Sequence, residues 1–177
     1  AAPANPGSYV AVSDGNGGTT REPLFIPGGA SSGYKITFPE PVTVLDGESI
    51  ALVVDWDVRK GLVLTGEGRY ILKPSFRVAD EEEAGEIEGE VIASEDQTIA
   101  VFVYESGTYT NSEAATPAAG ESWFPNAVAS DKVEDEGDED DELDFTLAYL
   151  EPGVYDLVVA TYDEASETYT VVDTDRK

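Results

Sequence analysis

The chain has 177 residues, 41 % of them apolar and 10 % aromatic, a composition that builds a packed core and excludes a disordered polymer. It has neither cysteine nor histidine, which excludes disulfides, cysteine-based zinc sites and serine–histidine or cysteine–histidine catalysis. Thirty-seven acids against ten bases give a formal net charge of −27, the wrong sign for nucleic acid or an anionic membrane surface, and no apolar run reaches the ~18 residues of a membrane span.

The chain opens on Ala1-Ala2-Pro3 without a signal-peptide pattern, and reads as a processed or excised piece. Asp14-Gly15-Asn16-Gly17-Gly18 carries turn residues. Gly33 to Phe38 alternates, with Tyr34, Ile36 and Phe38 on one face, and predicts a strand. Ser49–Val58 is long and β-branched, and predicts a second strand. Thr65-Gly66-Glu67-Gly68-Arg69 marks a hairpin turn; neither glycine cluster precedes a helix or fits a phosphate-loop pattern. Tyr70–Val78 follows as a strand candidate, with Pro74 placing it at an edge or bulge. Further strands are predicted at Glu86–Ala93, Thr98–Tyr104, Leu143–Leu150, Val154–Thr161 and Thr168–Val172. Ser106–Ser122 holds no periodic pattern and reads as a surface loop. No segment sustains a helical period, so the fold class is all-β, a β-sandwich or barrel.

Charge divides the chain. Residues 1–80 carry nine acids and seven bases, whereas 81–177 carry twenty-eight acids and three bases. Two such halves predict two β-sandwich units, 1–80 and 86–177, joined by a hinge or exposed connector at Asp80–Gly85 where four acids run together.

Two acidic groups are candidate cation sites. Nine of the eleven residues from Glu134 to Asp144 are acidic, and hard oxygen ligands are what Ca²⁺ takes. Asp135, Asp138, Asp140 and Asp141 are the expected ligands of a weak Ca²⁺ site. The spacing is not that of an EF-hand; a solvated hairpin loop without a specific ligand is the plain expectation, and a contact for a basic protein is a further alternative. The second candidate is Asp55 with Asp57. On a strand they share a face with Arg59, where a neighbouring strand could add Arg69, Lys73 or Arg77, and the plain expectation is a cross-strand ion-pair ladder. Trp56, with Val54 and Val58, is expected on the opposite, buried face. With so many acids, a carboxylate pair at glycosidase spacing arises by chance and argues for no enzyme.

The stretch from Gly33 to Val78 resembles a family of secreted, often lipid-anchored bacterial and archaeal proteins, the domain of unknown function numbered forty-three eighty-two. The carrying residues are GYKITF (33–38), Val44 to Glu48, ALVVDWDVRKGLV (51–63) and GRYILKPSFRV (68–78). The second half resembles a prealbumin-like or carboxypeptidase-regulatory-like module through EIEGEVIA, AVFVYE and FTLAYLEPGVYDLVVATY. The resemblance implies an extracellular or cell-surface β-protein, two immunoglobulin- or prealbumin-like β-sandwich units, with no catalytic residues to carry over. The family's domain begins with further strands that would precede Ala1. A complementing strand, from an upstream fragment or another subunit, is therefore an expected partner. A non-enzymatic binding, adhesion or scaffold role follows, with a strand-exchanging subunit of a surface filament or oligomer as the alternative.

Overall fold

The computed structural model describes residues 7–14, 18–28, 33–36, 42–92, 97–133, 142–163 and 166–176. In chain order these form β1 (Tyr9–Ser13), β2 (Thr19–Phe25), β3 (Leu52–Trp56), the single helical turn α1 (Val58–Gly61), β4 (Leu62–Leu64), β5 (Tyr70–Leu72) and β6 (Phe76–Asp80). There follow β7 (Gly85–Ile92), β8 (Thr98–Glu105), a 3-10 turn (Asn111–Ala114), β9 (Ala129–Val133), β10 (Glu142–Leu150), β11 (Tyr155–Asp163) and β12 (Thr168–Arg176). The all-β expectation holds. The strands make two four-stranded sheets, ordered β1-β2-β5-β4 and β12-β11-β8-β9, and two ribbons, β3-β6 and β7-β10.

The main core lies in the second half. Ile99, Val101 and Val103 of β8 meet Leu143, Phe145 and Leu147 of β10, so the β7-β10 ribbon closes one face of the β12-β11-β8-β9 sheet. Opposite Phe145 in the β7-β10 register stands Gly89, and a Cβ there would sit 2.7 Å from the Phe145 ring. The other face of the sheet is also covered. Phe102 stacks on Phe124 with centroids 3.8 Å apart, and Tyr104, Ala127, Val158 and Ala160 complete this second cluster. Central β8 is thus buried on both sides, which explains its unbroken apolar run.

Several expectations are corrected. The stretch from Ser106 to Ser122 is no bare surface loop: it carries the 3-10 turn, leads into Phe124 and helps roof the sheet. Ser49–Val58 is not one strand, because Asp57 leaves the extended row and caps α1, its carboxylate accepting the Lys60 amide at 3.2 Å. Arg59 therefore sits on the turn, off the face it was expected to share with Asp55. Tyr70–Val78 splits at Lys73–Ser75 into β5 and β6, which belong to different sheets, as Pro74 cannot continue a ladder. Of Gly33–Phe38, residues 33–36 lie outside any strand. The strand β9, which lacks a clear apolar alternation, and the short β1 and β2 were not expected.

Both glycine clusters do join antiparallel neighbours, β1 to β2 and β4 to β5. The Asp80–Gly85 connector is exposed but closed, with the Glu83 and Ala84 amides donating to the Asp80 carbonyl at 3.2 and 2.9 Å. It is an exposed connector folded as a turn.

The first half is covered differently. Among the described residues up to 80, only Val63, Leu72 and Ala79 belong to the buried hydrophobic core. Ten of the fourteen large apolar residues exposed on the described surface lie in this half, from Tyr9 to Leu64. Val54 and Val58 are 46 % and 51 % exposed, so the face expected to be buried is open. Trp56 is half-buried in an aromatic trio, its ring 5.4 Å from Tyr34 and 5.0 Å from Phe76, and its buried indole N–H has no partner among the described residues.

Candidate functional site: the seam between the two halves

Side chains of the first half reach into the second at four points. Arg77 of β6 makes the first. Its guanidinium pairs with Asp55 at 2.8 Å across the β3-β6 register and donates to the carbonyls of Tyr149 and Ala148 at 2.6 and 2.9 Å. Those carbonyls are available because β10 bulges. Leu147 pairs with Ile87 and Leu150 with Gly85, so Ala148 and Tyr149 stand opposite one residue. Tyr149, in the left-handed region at φ 57°, is turned out to solvent, and Leu150 takes the buried place expected for it.

Asp57 makes the second link, accepting from Ser130 Oγ of β9 at 2.7 Å. Lys60 makes the third, donating to the Ala127 carbonyl at 2.8 Å. Burial lowers the Lys60 ammonium below its ordinary pKa, against the opposing pull of Asp57 and Glu113. Glu113, on the 3-10 turn, is 8 % exposed and accepts from Tyr104 OH, Asn126 N and Asn126 Nδ2 at 3.0, 3.1 and 3.2 Å. Burial, then the Glu113 charge and hydrogen bond, hold the Tyr104 phenol far above its ordinary pKa. The fourth link is Lys73 Nζ on the Gly120 carbonyl, beside the Gly120 amide donating to Leu64 O at 2.8 Å.

Beside these links lies a cleft of about 940 Å³. One wall is residues 10–13 of β1 and 62–65 of β4 and its turn, with Tyr70 and Arg59; the other is 116–119 and 121–123, with Tyr162 and Glu167. Trp123 and Tyr162 both brace against Tyr169, at 5.2 and 4.8 Å between centroids. Sequence reasoning missed this cleft because its walls come from opposite ends of the chain and one wall was read as a plain loop.

Of the expected cation ligands, Asp135, Asp138, Asp140 and Asp141 lie outside the described residues. Asp55 is engaged by Arg77, so the expected cross-strand pair exists, but with Arg77 alone. Arg69 pairs with Glu67 at 3.2 Å, and Arg59 reaches Asp57 only at 3.9 Å. Among the described residues no three acidic side chains gather closely enough to hold a metal ion, and no helix is long and apolar enough to cross a membrane.

Searches among curated proteins and among solved structures found no match. A family profile described as a domain of unknown function (DUF4382) matches residues 6–74, a segment that runs from ahead of β1 to the break between β5 and β6 and overlaps the resemblance carried by residues 33–78. Residues 6–74 of this chain are thus similar to the DUF4382 family, and an all-β module follows them.

Proposed function

We propose that the protein is a non-enzymatic binding or scaffold protein of the cell surface or extracellular space. The observation that carries this is the uneven covering of the fold: a second half with a two-faced core, and a first half that leaves apolar side chains open around the β3-β6 ribbon. Tyr104, whose pKa is strongly raised, and Lys60, whose pKa is lowered, sit in packed surroundings at the seam, where they hold structure together. The likeness to secreted proteins supports the location.

The ribbon favours a second reading, a strand-exchanging subunit. Among the described residues β3 and β6 each have one strand partner, and Leu52 and Val54 stand exposed on β3. A second copy is the occupant that charge allows. Residues 1–80 are nearly neutral whereas 81–177 carry most of the −27, so two copies meet with least repulsion through their first halves. Sedimentation of the intact chain over a wide concentration range tests it. The expected result is reversible association that strengthens with salt and is lost in Val54→Lys, with melting temperature little changed. A chain that stays monomeric throughout and binds no apolar dye would defeat both the open surface and the reading built on it.

A further inference from the structure

We infer that the cleft between the halves is a binding site for a neutral saccharide. The inference rests on the binding reading above and names a ligand class for it. Ligand clefts commonly hold 300–1,000 Å³ and occur where units meet. This one holds about 940 Å³ and its walls are already set. The Gly120 amide and carbonyl tie the 116–121 segment to β4 and Lys73, and Tyr169 braces Trp123 and Tyr162 from behind. A preset wall loses little entropy when a ligand arrives.

The chemistry of the lining selects the class. Trp123, Tyr70 and Tyr162 line the cleft, and aromatic rings there suit the C–H face of a sugar ring. Arg59 supplies donors: its Nε lies 3.9 Å from Asp57, and its terminal nitrogens have no partner among the described residues. Glu121 and Glu167 are exposed at the cleft without an ion-pair partner among the described residues, and supply acceptors. Donor and acceptor groups around an aromatic wall suit vicinal hydroxyls. An anionic ligand would face these two carboxylates and the field of a chain of net charge −27. A cationic ligand would face Arg59. A neutral polyhydroxyl compound avoids both penalties.

Glu167 adds an independent sign. It stands at φ 54°, in the left-handed region that glycine fills without strain, yet the turn presents a carboxylate to the cleft there.

The two tryptophans make the test direct. Trp56 is not among the residues lining the cleft, and Trp56→Phe leaves Trp123 as the only indole emitter. Maltohexaose, cellohexaose, xylohexaose and mannohexaose are titrated into that protein, with oligogalacturonate and trilysine as the charged alternatives. At least one neutral hexaose is expected to shift Trp123 emission below about 10 mM. Arg59→Gln is expected to weaken that binding about tenfold. Glu167→Gly is expected to weaken it also while the melting temperature holds or rises, because glycine relieves the backbone. Silence from all four neutral sugars, binding only of a charged probe, or binding that both variants leave intact overturns the inference. Self-association measured on the same samples separates the two readings: if it persists while the sugars fail, only the cleft assignment falls.

Discussion

Replacing Arg77 tests what fastens the β3-β6 ribbon to the second half. Its side chain is 17 % exposed and makes three hydrogen bonds, to Asp55, Ala148 and Tyr149. Bonds from a charged donor contribute roughly 1.5–3 kcal/mol each when buried. They do not add here, because Asp55 is 38 % exposed and water screens that pair, so it contributes at most about 1 kcal/mol. Water can also reach the bulge carbonyls once the guanidinium is gone. The expected cost of Arg77→Gln is therefore about 2–3 kcal/mol, or roughly 5–10 °C in melting temperature for a chain of this size. Urea unfolding followed by circular dichroism measures it. Arg77→Lys should recover less than half, since an ammonium cannot fork between a carboxylate and two carbonyls. In a double-mutant cycle, Asp55→Asn should couple to Arg77→Gln by only about 0.5–1 kcal/mol. A loss below about 0.5 kcal/mol for Arg77→Gln would show that the bulge carbonyls need no cation and that the ribbon is held otherwise.

Glu113→Ala should cost about 2–4 kcal/mol in the same assay, because it strands the buried Tyr104 hydroxyl and the Asn126 donors; Glu113→Gln should cost less. At high pH the unfolded chain, whose tyrosines titrate near 10, releases protons before Tyr34, Tyr104, Tyr109, Tyr155 and Tyr169 can in the fold, where burial raises each. That stability is complete below about pH 10 and is lost above it, whereas the lowered Lys60 gives a single opposing gain as pH rises toward its unfolded value. Tyrosinate absorbance should thus rise in step with unfolding. Calorimetry with NaCl should raise the melting temperature by screening the acid-rich second half. CaCl₂ at matched ionic strength should add little, and an increment that disappears when Asp138, Asp140 and Asp141 become Asn would instead establish a metal site there.

Strands of the second half were legible in the sequence because their apolar residues alternate and each has one wet face or none. Leu143, Phe145 and Leu147 are buried as the alternation requires, and the pattern fails only at Tyr149, where the bulge inserts a residue that period-two reasoning cannot foresee. The first half was less legible. Ser49–Val58 reads as one strand by propensity, but the Asp57 carboxylate is also a helix cap, and capping won. Val54 looked like core by its alternation, yet no element among the described residues packs over it closely enough to bury it. The cleft was invisible for a different reason. Arg59, Trp123 and Glu167 are far apart in sequence and belong to no motif, so only the seam brings them to one place.

The direction of the seam bonds bears on how the chain is made. Ala127, Ser130, Ala148, Tyr149 and Gly120, where the first half fastens, all follow residue 80 in the chain. A ribosome delivers the first half before any of these anchors exists. The early strands must therefore wait, unfastened, until the later sheet has closed and β10 has bulged. Vectorial synthesis makes this interval the chain's most aggregation-prone moment. Slowing translation beyond residue 80 is expected to lower the yield of folded protein more than slowing it earlier, a difference that pulse-labelling with limited proteolysis would read.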